Sequence, residues 1–241
     1  MGILKVIAKS FLQEAVVIEK HKLSASAYQL TIKGDSIKNT EFESNHFLRI
    51  SIGMSGDNIP IRDFVRSYSI WNFDKLKGTL DVAIATHSNG SGSKWVEEIK
   101  TGDTLHYALR KNKFSVDNSA DSYLLIGDLS ALANLYVINR YLTKDKQVES
   151  ILYSHIKNDL FPDIDHKTPF SFYELPQNPT EEVLHKVQEI VATMKGKKMV
   201  YIAGDSRLCV ALTKYFRHEL NWDSRQIKTK PFWNPLKKGL E

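Results

Sequence analysis

The chain has 241 residues, 42% of them hydrophobic and 25% charged, and 33 Lys+Arg against 28 Asp+Glu give it a formal net charge of +5. That length makes one or two domains of roughly 150 residues with true cores, and it excludes a disordered chain, a collagen-like repeat and a disulfide scaffold. The modest positive balance permits an anionic partner and serves solubility equally well.

Met1 to Lys20 interleaves apolar residues with Lys5, Lys9 and Glu14, which is not the layout of a signal peptide. From Phe11 to about Val116 the chain reads as short strands at turn-punctuated intervals: Glu14–Glu19, Tyr28–Lys33, Phe47–Ile52, Val65–Trp71 and Thr79–Thr86. Gly34-Asp35, Gly53 to Gly56 with Asp57-Asn58, and Lys77-Gly78 separate them. One helical segment, Lys94 to Lys100, follows the small-residue run Ser88-Asn89-Gly90-Ser91-Gly92-Ser93, and Thr101-Gly102-Asp103 turns into a last strand near Thr104–Leu109. Several short strands before any long helical pattern predict an antiparallel β-barrel or sandwich.

From Ser122 the pattern becomes strand, helix, strand. Tyr123 to Ile126 is a continuous apolar run, as in a strand buried on both faces, and an apolar helix follows from Ser130 to Leu142. Further strands are expected at Ser150–Ser154, Phe170–Glu174 and Met199–Ala203, with Asn158 to Thr168 as a surface loop or excursion. A helix from Pro179-Thr180 carries Val183, Val187, Ile190, Val191 and Met194 on one face, and another after Gly204-Asp205 carries Leu208, Ala211, Leu212, Tyr215 and Phe216. This alternation predicts a parallel α/β domain. The polar stretch Asp117 to Asp121 marks the boundary, giving domains 1–117 and 121–241.

Arg66-Ser67-Tyr68-Ser69 offers a cation for phosphate, an aromatic plate for a flat ring and a hydroxyl for that ring's edge; the same residues also make an ordinary edge strand with a polar face. The small-residue run before the helix offers free N–H groups and a positive dipole end suited to a pyrophosphate, or is simply a flexible loop. Gly127-Asp128 and Gly204-Asp205 each follow an apolar strand and open a helix, where Asp is first of all an N-cap. No G-x-G-x-x-G, H-E-x-x-H or G-x-S-x-G pattern occurs, so neither a standard dinucleotide fingerprint, nor a metal site, nor a serine-hydrolase site is expected. Lys195 to Lys198 and Lys228, Lys230, Lys237 and Lys238 make a possible basic patch, explained as well by solvated ends and accompanied by no nucleic-acid motif. Cys209 is the sole cysteine, which suits a reducing cytoplasm, and the longest apolar candidate, Tyr123 to Ile138, is too short and interrupted to span a membrane.

In order and together, these segments resemble the siderophore-interacting protein family, FAD-containing ferric-siderophore reductases related to the ferredoxin–NADP reductases. Asn45-His46-Phe47-Leu48-Arg49-Ile50 resembles that family's D-H-x-K-L strand, and Arg66-Ser67-Tyr68-Ser69 its R-x-Y-[ST] flavin motif. Thr86 to Trp95 resembles H-G-x-x-G-P-A-S-x-W-A, Gly102-Asp103 the G-D turn, Gly127 to Leu132 G-D-E-T-A-L, Ala203-Gly204-Asp205 A-G-E, and Phe232-Trp233 the terminal Y-W. The resemblance implies a two-domain protein, an FAD-binding antiparallel β-barrel followed by a ferredoxin–NADP reductase-like α/β domain with a parallel sheet. It implies FAD held by Arg66 at a phosphate, Tyr68 on the isoalloxazine, Ser67 within the motif, Ser69 toward N5, Gly92 and Ser93 at the pyrophosphate, His87 in the same loop, and Trp233 as cover or packing.

The resemblance further implies NADH or NADPH as electron donor at a turn made by Gly127, Asp128, Ser130, Gly204 and Asp205, and an anionic ferric siderophore held by Arg49, Lys111 and Lys228. The chain departs from the family where Leu109-Arg110 replaces Gly-Pro, where Ser91-Gly92 lacks Pro-Ala, and at Leu129, Asn134 and Asn234. Electrons would pass from the nicotinamide through flavin to Fe(III), with no protein acid, base or nucleophile required and Fe(II) released. A cytoplasmic monomer that neither inserts in membranes nor binds nucleic acid is expected. The rivals are a flavin reductase with another acceptor or donor, such as a ferredoxin-like protein, and a ferric-chelate binding protein without turnover.

Overall fold

The computed structural model describes residues 12–52, 65–88 and 90–236. The predicted turn at Gly53 to Gly56, Asp57 and Asn58, together with Asn89, Lys237 and Lys238, lies outside the described residues. The chain forms two compact units that divide between Lys113 and Phe114.

The first unit contains strands β1 (Gln13–Ser24), β2 (Ala27–Lys33), β3 (His46–Ser51), β4 (Val65–Asp74), β5 (Thr79–Ala85) and β6 (Thr104–Lys111), closed into a barrel in the order β1-β2-β5-β4-β3-β6. All the pairings are antiparallel. The period-2 pattern explains the closure: Leu30, Ile32, Leu48, Ile50, Leu80, Val82, Leu105 and Tyr107 point inward, fully or almost fully buried. Among the described residues, two helices belong to this unit, the single turn α1 (Asp35–Lys38) and α2 (Ser91–Glu98). Helix α2 begins at Ser91, three residues before the expected start, because Gly90 at its N-cap is extended and the small residues behind it accept helical geometry.

The second unit holds a five-stranded sheet ordered β11-β10-β7-β8-β9, with parallel pairing throughout. Its elements are β7 (Ser122–Asp128), α3 (Leu132–Tyr141), β8 (Gln147–Ser154), β9 (Phe172–Glu174), α4 (Thr180–Thr193), β10 (Lys198–Asp205), α5 (Ser206–Lys214) and β11 (Ile227–Trp233). Strand β7 is buried along its whole length, as its unbroken apolar run requires. One sheet face is covered by Val183, Val187, Leu208, Leu212 and Phe216. Chain order runs from β7 outward through β8 and β9, then returns to β10 on the other side of β7, so the order reverses between β7 and β10. The crevice at the carboxyl ends of those two strands is where such sheets place ligands.

Two connecting segments are tied down by hydrogen bonds. The stretch Asp117 to Asp121 is not a loose linker, since Tyr201 Oη accepts from Asp117 N at 2.9 Å, Tyr123 Oη donates to Asp117 O at 2.7 Å, and Ala120 is fully buried. The excursion after β8 is likewise pinned: Tyr136 Oη donates to Phe161 O at 2.7 Å, Arg140 pairs with buried Asp163, and the Tyr136 and Phe170 rings stack at 4.8 Å. Among the described residues no helix is long and apolar enough to cross a membrane.

Candidate functional site

On the first unit, Arg66 and Tyr68 of β4 meet the first turn of α2. Arg66 Nη2 donates to Ser91 Oγ at 2.9 Å and Nη1 to Val65 O at 2.7 Å. A Cβ on Gly92 would collide with Tyr68 Oη and stand 3.5 Å from Arg66 Cγ, so glycine is what lets this helix turn close against the arginine and tyrosine. Among the described residues no side chain caps the helix at Gly90, so its first N–H groups and positive dipole end suit an anion. These features fit a pyrophosphate: bare helix N–H groups, one guanidinium and a backbone surface without a Cβ. Tyr68 lies against Trp95 at 6.3 Å with 17° between the rings, so Trp95 braces the plate that the sequence motif offers. Lys20 Nζ donates to Glu97 O at 2.9 Å and to Ile99 O at 2.8 Å, fastening the opposite end of α2.

The hydroxyl beside Arg66 is that of Ser91. Ser93 is 4% exposed and its Oγ lies 3.3 Å from Ser88 Oγ, because its place in the first turn points it inward. His87 is exposed in the loop that leads to the helix.

Strands β3, β4 and β6 form one wall of the barrel. Arg49 pairs in register with Ala108 on one side and Ser67 on the other, and Phe47 with Arg110 and Ser69. Lys111 pairs with His46, whose side chain is buried, so the alternation puts Arg49 and Lys111 on opposite faces of this ladder. Lys111 Nζ instead lies 2.5 Å from Glu43 Oε1, a hydrogen bond that holds the Glu43 carboxyl below its ordinary range.

In the second unit the two Gly-Asp turns come together at the carboxyl ends of β7 and β10. Asp128, 4% exposed, accepts from Ser130 N at 2.8 Å and Ser130 Oγ at 2.5 Å through Oδ1, and from Asp205 N at 2.7 Å and Trp233 Nε1 at 2.8 Å through Oδ2. Gly204 has φ of 115°, and a Cβ there would run into the Asp128 carboxylate. Gly127 is equally confined, with Ala203 O 3.0 Å and Leu135 Cδ1 2.7 Å from where its Cβ would stand. Asp205 is an N-cap, accepting from Arg207 N at 2.9 Å, and Arg207 Nη2 returns to its carboxylate at 2.6 Å. Asp128 is not the cap of α3: that helix starts at Leu132 behind a tight turn, and the carboxylate crosses to β10 and β11 instead.

Strand β11 carries Lys228, 3.8 Å from Asp117 Oδ2, and half-buried Lys230, whose ammonium lies 5.0 Å from the Phe232 ring centre. A hydrogen bond from Ser119 first, and then the Lys228 charge among others, lowers the Asp117 carboxyl, while burial pushes Lys230 down to about 8. Cys209 is buried and its thiol is pushed up to about 12, chiefly by burial. Among the described residues, no three His, Cys, Asp or Glu side chains cluster as a metal site.

Residues 14–114 match the oxidoreductase FAD-binding domain and residues 120–235 the siderophore-interacting protein family. No curated protein matches the chain. Among solved structures, the fold is similar to the siderophore-interacting protein from Acinetobacter baumannii, at TM-score 0.77 and 13% identity over 92% of this chain and 90% of that one. It is similar also to a siderophore-interacting protein from Aeromonas hydrophila, at TM-score 0.75 and 17% identity over 94% and 93% of the two chains. Phthalate dioxygenase reductase follows at TM-score 0.69 and 14% identity over 93% and 69%.

Proposed function

From a chain that joins an oxidoreductase FAD-binding domain to a siderophore-interacting domain, and so belongs to the siderophore-interacting protein family, we propose a ferric-siderophore reductase that draws electrons from NADH or NADPH. The observation that carries the reading is the close approach of Arg66 and Tyr68 to the uncapped first turn of α2 across Gly92. When bound there, FAD supplies the conversion of a two-electron hydride donor into one-electron steps. Arg66 and the α2 N–H groups hold its phosphates, with Gly92 allowing close approach and Ser91 taking the part first expected of Ser93. Tyr68, braced by Trp95, supports the ring; Ser67 and Ser69 stand on the outer side of the same strand, Ser69 toward the reacting edge. His87 borders the phosphate loop. Trp233, held through its indole N–H by Asp128, anchors β11.

Exposed Arg49 supplies positive charge for an anionic chelate, whereas Lys111, on the opposite face of the ladder, is engaged by Glu43 and Lys228 in the second unit by Asp117. Fe(III) bound to hard oxygen donors leaves its chelator more readily once reduced to Fe(II), so electron delivery alone suffices for release and no protein acid, base or nucleophile is needed. The donor lies at the carboxyl ends of β7 and β10, where Gly127, Asp128, Ser130, Gly204 and Asp205 shape the crevice rather than donate to phosphate. Because four donors there are consumed by the Asp128 carboxylate, a second reading has support: electrons reach the flavin from a ferredoxin-like protein rather than a pyridine nucleotide. We take the protein to act as a cytoplasmic monomer.

Anaerobic addition of NADH or NADPH to the yellow protein tests the donor, and bleaching is the expected result. Yellow protein that only a reduced ferredoxin bleaches would support the second reading.

A further inference from the structure

The strand that carries Arg66, Tyr68 and Ser69 changes partners halfway along. From Val65 to Ser69, β4 pairs with β3, and from Ile70 to Asp74 it pairs with β5. Among the described residues, β5 beyond Val82 pairs with β2 alone. The two strands therefore part at Ile70 and Val82, and α2, which packs against β5, brings its first turn to Arg66 and Tyr68 on the unpaired side of β4. Trp71 is an extra residue at the root of this fork: Ile70 pairs with Val82 and Asn72 with Asp81, so two steps along β4 match one along β5. Such a bulge bends its strand and shifts the alternation, so Tyr68 and Ile70 share the core-facing side with Phe73 and not with Asn72.

Asp81 stands directly across from the bulge. It lies between inward Leu80 and Val82 and so faces the outer side of the wall, yet it is 6% exposed. Its Oδ1 accepts from Gln29 Nε2 at 2.9 Å and from Thr31 Oγ1 at 2.5 Å on β2, and its Oδ2 accepts from Asn72 Nδ2 at 2.9 Å on β4. One buried carboxylate thus ties its own strand to both neighbours through three neutral donors, which use the lone pairs that burial would otherwise leave unpaired. We propose that Asp81 is a positioning residue for the flavin: its clasp fixes the bulge at Trp71, and the bulge sets where Arg66, Tyr68 and Ser69 stand against the first turn of α2. The proposal rests on the FAD reading above and gives Asp81 no contact with the cofactor. A binding constellation needs its side chains held to within about 0.5 Å, and the half of β4 that carries these three has ladder bonds on its β3 side only. The tie from Asp81 to Asn72 supplies the constraint from the β5 side.

Gln29 and Asn72 each give Asp81 one hydrogen bond of 2.9 Å, so removing them in turn separates positioning from stability. Asn72→Ala cuts the tie to β4, whereas Gln29→Ala cuts a tie to β2 and leaves β4 clasped. Full-length, flavin-stripped protein is titrated with FAD, and a thermal melt checks that each variant is folded at the assay temperature. The FAD Kd is expected to rise about fivefold in Asn72→Ala and less than about 1.5-fold in Gln29→Ala. Asp81→Asn is the conservative rescue: its oxygen accepts from Gln29 and Thr31, and its amide donates to Asn72 once the Asn72 amide is turned over, so Kd is expected to stay within about twofold of wild type. A wild-type Kd in Asn72→Ala, a loss in Gln29→Ala as large as that in Asn72→Ala, or a loss of that size in Asp81→Asn would overturn the assignment. Folded wild-type protein that binds no FAD would overturn the flavin reading itself, and the assignment with it.

Discussion

Replacing Gly92 with alanine separates helix stability from cofactor geometry. In an exposed helix the change favours helix by about 1 kcal/mol. Here the added Cβ collides with Tyr68 Oη and stands 3.5 Å from Arg66 Cγ, so either the α2 turn or the tyrosine must shift. Overpacking of this kind costs about 1–3 kcal/mol, which leaves the fold nearly as stable as before. The cost falls on the ligand. A shift that breaks one charge-assisted hydrogen bond to phosphate removes about 1.5–3 kcal/mol, and FAD affinity is expected to fall about 10- to 100-fold. Gly90→Ala is the control: its N-cap backbone is extended with φ of −78°, and among the described residues its Cβ would meet nothing nearer than Ser88 Oγ at 3.6 Å. Titration of flavin-stripped protein with FAD, followed by flavin fluorescence, reads both variants, and a thermal melt checks that each is folded. Equal FAD affinity in Gly92→Ala and wild type, or equal losses in both variants, would refute the cradle.

Other outcomes follow from the remaining contacts. Asp128→Asn strips the charged acceptor from four donors in the second unit and is expected to lower that unit's unfolding free energy by about 2–4 kcal/mol in urea titration, with a change under about 0.5 kcal/mol refuting the hub. Lys20→Met removes the ammonium from Glu97 O and Ile99 O; FAD affinity is expected to weaken severalfold, and unchanged affinity would show that the C-terminal end of α2 does not matter to its first turn. Burial depresses Lys230 from 10.5 to about 8, so above that lower value the folded protein sheds a proton that the unfolded chain keeps. Stability from this residue therefore rises between about pH 8 and 10.5; the rise should vanish in Lys230→Met, and identical pH profiles would refute it. Cys209 is expected to resist thiol reagents at pH 8 until denaturant is added, and rapid labelling of the native protein would contradict its burial.

The barrel strands were legible where their periodicity was their own, as in Tyr28–Lys33, whose inward Leu30 and Ile32 alternate with polar residues. The second half of β1 was not, because Lys20, His21 and Lys22 look like solvent and become strand only by pairing with Tyr28, Gln29 and Leu30. Strand β11 was hidden for a similar reason. Alternating lysines and Pro231 argue against a strand, but at a sheet edge a proline is tolerated and the lysines occupy one face. At the candidate site, the glycines and the arginine–tyrosine pair could be read from the chain alone. Local sequence does not encode ladder parity, so the separation of Arg49 from Lys111 and the carboxylate partners Glu43 and Asp117 emerged only with the fold.

The most direct measurement of the central claim is anaerobic reoxidation. Protein carrying FAD is reduced, mixed with a ferric siderophore, and followed at once by flavin absorbance and by an Fe(II)-specific chelator. The account predicts that the yellow colour returns as Fe(II) appears, two irons for each flavin reoxidised, and that Gly92→Ala loses both signals together. Protein that takes up no FAD, or reduced flavin that a ferric siderophore leaves colourless, would contradict it.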